Sequence, residues 1–343
     1  MQTYSEKRLL AIAGFVVLFL GAMLVSPPAR AESTSIDVLP SFATAEEPRV
    51  RVKLSVPERP VHTFVSQADV RVTLGPREIV VPAGETIFIS SRDGTLRLRT
   101  SSRLMRAKEL LLTPVTNTPV TISSWNRIPA WDTKKVYNDN QFLGSLHLYP
   151  EAKNKLLVVN DIDVENYMRG VAEVPEQDET EKRKALAVVS RSYVAYYISG
   201  LEKKFDDARY NASDNPEIFQ KYLGYGFTLR SPKWQEALVA TKGLVLAYKG
   251  EVLRAAYSSC TDTTGLRKLP REIGWGGYFE KTKEVYAAVL DTQGVDPVRS
   301  EKNQCGHGVG LSGLGATNMA KEGKTYTDIL NYYYKAITFA SID

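Results

Sequence analysis

The stretch from Asp161 to Gly200, DIDVENYMRGVAEVPEQDETEKRKALAVVSRSYVAYYISG, constrains the fold more than any other part of this chain. An apolar strand end, Leu156-Leu157-Val158-Val159, leads into it. The acidic run Asp178-Glu179-Thr180-Glu181 marks the start of a helix, because carboxylates favour the positive end of the backbone dipole. Leu186, Val189, Tyr193 and Tyr197 then recur at a spacing that buries one helical face. Gly200 suits the stop. Between strand and helix stands Glu173, in Val171-Ala172-Glu173-Val174-Pro175. A carboxylate among small and apolar neighbours must face water, find a partner, or keep its proton at a raised pKa. The last state is that of a general acid, and an ordinary surface glutamate is the plain alternative.

What precedes this stretch reads as β. Val50, Val52, Leu54 and Val56 alternate with polar residues, the pattern of a half-buried strand. Short apolar runs follow at Val70–Leu74, Ile79–Val81, Thr86–Ile89, Leu96–Leu98 and Leu110–Leu112, separated by Gly75-Pro76, Pro82-Ala83-Gly84 and Asp93-Gly94. Phe142–Tyr149 and Lys155–Asn160 read as two further strands joined by a turn. Trp125 and Trp131 flank a proline-bearing loop, and His62 and His147 read as surface or structural histidines. After Gly200 come a helix around Lys233–Thr241 and a hairpin from Leu244–Tyr248 to Val252–Tyr257, turning at Lys249-Gly250. Helical segments at 317–322 and 326–334 close the chain. The expected fold is α+β: a β-rich N-terminal portion, 49–120, beside or merged with a mixed domain, 121–343.

The first residues stand apart. Lys7 and Arg8 precede an apolar run, Leu9–Val25, and Ser26-Pro27-Pro28-Ala29-Arg30-Ala31 ends in Ala-x-Ala. That is the pattern of a secretory signal with cleavage after Ala31, or of an uncleaved membrane anchor. Either places residues 32–343 outside the cytoplasm, in the periplasm or cell-wall space, with 32–48 as a linker. The net charge of +5 is mild, and basic residues are scattered. No run is dense enough to argue for nucleic acid. The two cysteines, Cys260 and Cys305, read equally as free thiols or as a disulfide.

The glycine-rich stretch Cys305-Gly306-His307-Gly308-Val309-Gly310-Leu311-Ser312-Gly313-Leu314-Gly315 invites three motif matches that fail. Gly308-x-Gly310-x-x-Gly313 lacks the acidic residue and βαβ setting of a dinucleotide site. Gly310-Leu311-Ser312-Gly313-Leu314 lacks the last glycine of a nucleophile elbow. Cys305 and His307 are too close in sequence for a nucleophile–base pair. No cofactor or metal is expected; a zinc site from Cys260, Cys305 and His307 is only arithmetically available.

Several segments, in order, resemble the SpoIID/LytB family of cell-wall proteins. They are Phe142-Leu143-Gly144-Ser145-Leu146, Val159-Asn160 through Glu173-Val174-Pro175, Lys184-Ala185-Leu186-Ala187 through Arg191-Ser192-Tyr193, and Gly306–Ser312. The tail Tyr326–Tyr334 also fits. The resemblance implies a peptidoglycan lytic transglycosylase that cuts glycan strands, especially strands stripped of stem peptides. It implies Glu173 as the catalytic acid, in the position of the family's Glu-Met-Pro motif. Arg191, Tyr193, His307 and Ser312 are then candidate substrate-binding neighbours. LytB-like members imply an alternative: a non-catalytic glycan-binding modifier of a cell-wall amidase. The chain departs from the family at Gln177-Asp178-Glu179-Thr180, where a Trp-Pro step is usual. It departs again at Ser312-Gly313-Leu314-Gly315, in place of Ser-Gln-Tyr-Gly, and at Cys260–Gly265, in place of Ser-Gly-Gly-x-Thr.

Overall fold

The computed structural model describes residues 38–39 and 48–342. The expected signal or anchor, 1–31, and most of the expected linker lie outside them. Among the described residues, no helix is long and apolar enough to cross a membrane. The fold is α+β, with its strands concentrated towards the N-terminus.

Alternation writes the strands directly. Arg49–Leu54 buries every second residue, and Val70–Leu74 does the same from Val70. A seven-stranded sheet runs in the spatial order Ala212–Ser213, Arg49–Leu54, Leu156–Asp163, Ser145–Pro150, Leu110–Pro114, Val70–Leu74, Arg77–Val81. Strands from before and after residue 120 thus share one sheet. A six-stranded sheet orders Gln141–Phe142, Val120–Ile122, His62–Ser66, Ile87–Arg92, Thr95–Arg99 and Leu104–Ala107. Asp93 and Gly94, both at positive φ, make the tight turn between two of these strands. A smaller sheet joins Val38–Leu39, Thr338–Ser341, Leu244–Tyr248 and Glu251–Val252. Val38–Leu39, from the stretch read as linker, pairs there in parallel with the C-terminal strand.

The helices are α1 (Val164–Arg169), α2 (Thr180–Ile198), α3 (Tyr225–Leu229), α4 (Pro232–Ala240), α5 (Tyr278–Lys281), α6 (Pro297–Glu301), α7 (Gly313–Lys321) and α8 (Tyr326–Tyr333). The long helix α2 matches its expected span, but it is buried on nearly every side rather than on one face. It packs against α1, α4, α7, α8 and the strand Leu244–Tyr248. Buried polar residues such as Arg191 and Ser192 act there as internal fasteners. Ser192 Oγ donates to the Val188 carbonyl and accepts from the Leu246 N–H at 2.8 Å.

The hairpin expected from Leu244 to Tyr257 closes only as far as Leu253, whose N–H still bonds to the Leu246 carbonyl at 2.8 Å. Beyond it the backbone is claimed by other partners. Tyr257–Ser258 pairs in parallel with Leu311–Ser312, and Tyr334 Oη donates to the Ala256 carbonyl at 2.6 Å. His62 is buried in its strand, and burial lowers its pKa, so it reads as a neutral core histidine.

Candidate functional site

Glu173 sits on a short antiparallel ladder. Leu223 N–H bonds to the Gly170 carbonyl, Val171 lies opposite Tyr222, and Ala172 N–H bonds to the Lys221 carbonyl, each hydrogen bond at 2.8 Å. One step further the carboxylate takes the place of the backbone: Lys221 N–H donates to Glu173 Oε1 at 2.7 Å. Burial pushes the Glu173 pKa up, against the Lys221 N–H and its side-chain charge, which pull it down. With Oε1 occupied as an acceptor, Oε2 is the oxygen available to carry a proton.

Glu173 lines a cleft of about 430 Å³. Tyr193, Phe219, Trp275 and Phe279 give it aromatic walls, and Lys204, Lys221 and Arg254 make it cationic. Glu217 is a second carboxylate on the same cleft, exposed where Glu173 is recessed. Tyr193 packs on Tyr197 and Phe219 at centroid distances of 5.1 and 5.0 Å. Tyr167, Tyr193 and Tyr257 keep raised pKa values, chiefly through burial and in part through the charge of Glu173. A hydrogen-bonded file orders two of these hydroxyls. Tyr167 donates to Gln220 Oε1 at 3.1 Å, and Gln220 Nε2 donates to Tyr257 Oη at 3.2 Å.

His307 also lines the cleft, as a neutral ring. Burial lowers its pKa to about 4, assisted by the charge of Arg267 and opposed by a bond to the Tyr257 carbonyl. Val309 N–H donates to Nδ1 at 3.0 Å, so both sides of the ring are spent on backbone and it offers the cleft a face. Trp275 packs against it at 4.8 Å.

The glycine-rich loop carrying His307 is shaped by close approach. Gly310 has φ +70°, and a Cβ there would lie 1.9 Å from the Ala256 carbonyl oxygen. Only glycine meets both conditions. Beneath the loop lies Arg267, 2% exposed. Its guanidinium donates to the carbonyls of Gly310, Cys260, Val309 and Leu311 and to the hydroxyls of Ser258 and Thr261, at 2.7 to 3.2 Å.

Two of the residues expected in the site are elsewhere. Arg191 is fully buried and grips Glu165 with two bonds, 2.7 and 3.0 Å, and the Leu244 carbonyl with a third. It docks α2 onto α1 and the small sheet and does not line the cleft. Ser312 is buried and caps α7, accepting from the Gly315 N–H at 3.1 Å. Glu173, Tyr193 and His307 are brought together; Arg191 and Ser312 serve the frame around them. Tyr257, Lys204 and Arg267 carried no sequence signal. Trp275 did, as a tryptophan set in Gly274-Trp275-Gly276-Gly277.

Cys260 and Cys305 form a disulfide, which excludes them as thiolate ligands. The bridge spans 45 residues, so on the chain-entropy view it contributes about 4 kcal/mol. It also ties the loop that begins at Ser259 to the glycine-rich loop. Reduction, or paired Cys→Ser substitution, is expected to lower the Tm by several degrees. Thermal melts with and without reductant check this, and equal Tm values would refute it.

With this geometry in view, residues 152–248 match the family model described as SpoIID, Stage II sporulation protein. The match includes Glu173 and Tyr193 and ends before the disulfide and the glycine-rich loop. Stage II sporulation protein D of Bacillus amyloliquefaciens is 21% identical over 263 residues, covering 54% of this chain and 76% of that protein. Its namesake in Bacillus subtilis (strain 168) is 55% identical over 38 residues, only 11% of either chain. An uncharacterized protein of Brachyspira hyodysenteriae is 30% identical over 128 residues, 36% of this chain and 32% of that one.

Proposed function

This chain belongs to the SpoIID family, and from that premise we propose that it is a peptidoglycan lytic transglycosylase working outside the cytoplasm. One observation carries the reading: a recessed carboxyl, Glu173, held at a raised pKa in a cleft with aromatic walls. As the acid, Glu173 protonates the glycosidic oxygen and the C1–O bond breaks. As the resulting carboxylate, it takes the proton of the muramic-acid C6 hydroxyl while that oxygen bonds to C1. The product is a 1,6-anhydro end; no water is consumed, and one carboxyl returns to its starting state. Burial raises the pKa towards the range where both halves of this cycle run near neutrality. The disulfide supports an oxidising, non-cytoplasmic setting, in keeping with the N-terminal sequence.

A second reading draws on Glu217. Glycosidases that add water use two carboxylates, and Glu217 lines the same cleft. The product ends decide between them. Residues 32–343 are incubated with denuded and peptide-bearing glycan strands, and the products are read by mass spectrometry. Anhydro-muramic ends are expected, and Glu217→Gln is expected to keep activity within about three-fold, because an exposed rim carboxylate contributes little. Reducing ends, lost in Glu217→Gln, would mean hydrolysis. Binding without cleavage of either strand would mean a glycan-binding partner of a cell-wall amidase.

A further inference from the structure

A second cavity, of about 500 Å³, adjoins the cleft, and the chemistry at Glu173 makes no use of it. Tyr196 and Tyr248, both buried, form its floor, and half-buried Tyr278 forms a wall. Glu202 and Lys249 give it charged groups of both signs.

The two cavities share a partition. Arg254 lines the first and Glu202 the second, and they are joined by bonds from Arg254 Nη1 to both carboxylate oxygens at 3.0 and 3.1 Å. Aromatic rings cross the partition in an unbroken file. Trp275 packs on Phe279 at 4.8 Å, Phe279 on Tyr278 at 5.4 Å, and Tyr278 on Tyr196 at 4.7 Å. Trp275 and Phe279 face the cavity of Glu173; Tyr278 and Tyr196 face the other.

A row of rings edged by paired charges suits a polymer of pyranose sugars. Such sugars present apolar C–H faces to aromatic rings and hydroxyls to carboxylates and cations. Each cavity alone has the size of a small-molecule site. We infer that the second cavity is a distal subsite that holds further sugars of the strand whose bond is cut at Glu173. This rests on the glycan reading proposed above. The strand lies along the ring file and crosses the Arg254–Glu202 pair.

The test measures binding without cleavage. Glu173→Gln protein is titrated with alternating N-acetylglucosamine–N-acetylmuramic acid oligomers: a disaccharide, a tetrasaccharide and an octasaccharide. Affinity is expected to rise roughly ten-fold from tetrasaccharide to octasaccharide. Adding Tyr278→Ala should abolish that rise and leave disaccharide affinity within about two-fold, whereas Tyr278→Phe, which keeps the ring, should retain it. Leu201→Trp narrows the second cavity from a position 47% exposed, and should abolish the rise without disturbing the packed rings. Equal affinity of the parent protein for the two longer oligomers, or a rise that survives in both Tyr278→Ala and Leu201→Trp, would overturn the distal subsite while leaving the glycan reading standing. Failure of every oligomer to bind would overturn the glycan reading, and the subsite with it.

Discussion

Glu173→Gln is expected to reduce glycan cleavage by roughly 10²- to 10⁴-fold, the usual contribution of a positioned general acid–base, while strand binding survives. Glutamine keeps the shape and can still accept the Lys221 N–H bond at the position of Oε1. It cannot give up a proton. The parent enzyme's rate should fall on the alkaline side as Glu173 loses its proton, at a pH above the ordinary glutamate range because burial raises this pKa. On the acid side the site should fail near pH 4, where His307 gains a charge and its Nδ1 stops accepting from Val309 N–H. The stability of the same variant gives an independent check. A carboxyl whose pKa is higher folded than unfolded stabilises the fold fully below its unfolded value, and that contribution is lost as pH rises through the folded one. Removing the ionisable group should therefore raise the Tm of Glu173→Gln above the parent at pH 8 and leave the two alike at pH 4. A variant that cleaves at the parent rate, or a Tm difference that does not depend on pH, would remove Glu173 from the chemistry.

The strands were legible because one face of each is buried and the other is not. Val50, Val52 and Leu54 announce themselves at a period of two, and turns such as Asp93-Gly94 punctuate them. The span of α2 was legible from its acidic start and its glycine stop. Its packing was not. A helix surrounded by other elements shows a sequence pattern only for the neighbours that are apolar, and Arg191 and Ser192 are buried through polar side-chain bonds to distant backbone or side chains. The same limit separates Tyr193 from Arg191. Two residues apart on a helix they point to nearly opposite sides, so both could not face one cleft; which one did was a tertiary matter. Glu173 stood out because a charged residue among Val171, Ala172, Val174 and Pro175 needs an explanation. The disulfide stayed open because sequence carries no distance between Cys260 and Cys305. Arg267 was invisible for a different reason. Its partners are mostly backbone carbonyls, and a carbonyl leaves no mark in the sequence.

Arg267→Leu is expected to cost about 4–5 kcal/mol of stability, one of the largest single effects available in this domain. The leucine fills part of the space but donates nothing. The carbonyls of Cys260, Val309, Gly310 and Leu311 then lose their common donor in a buried setting, where each unsatisfied acceptor is costly. Asp291, buried beside them and hydrogen-bonded by Tyr333 and Thr261, loses the nearby cation whose charge it feels. The damage should not spread evenly. The seven-stranded sheet has its own apolar core and does not contact the guanidinium, whereas the glycine-rich loop has left-handed backbone at Gly306, Gly308 and Gly310 and depends on outside bonds to hold it. Amide hydrogen exchange should therefore show lost protection first at 256–264 and 305–312, with the strands Arg49–Leu54 and Leu156–Asp163 still protected. Because the loop carries His307 against Trp275, glycan binding should weaken together with cleavage, the opposite of the pattern for Glu173→Gln. Arg267→Lys supplies one charge and fewer donors in a different geometry, and should recover only part of the loss. Uniform loss of protection across both regions, or full rescue by lysine, would show that the guanidinium does not organise this loop.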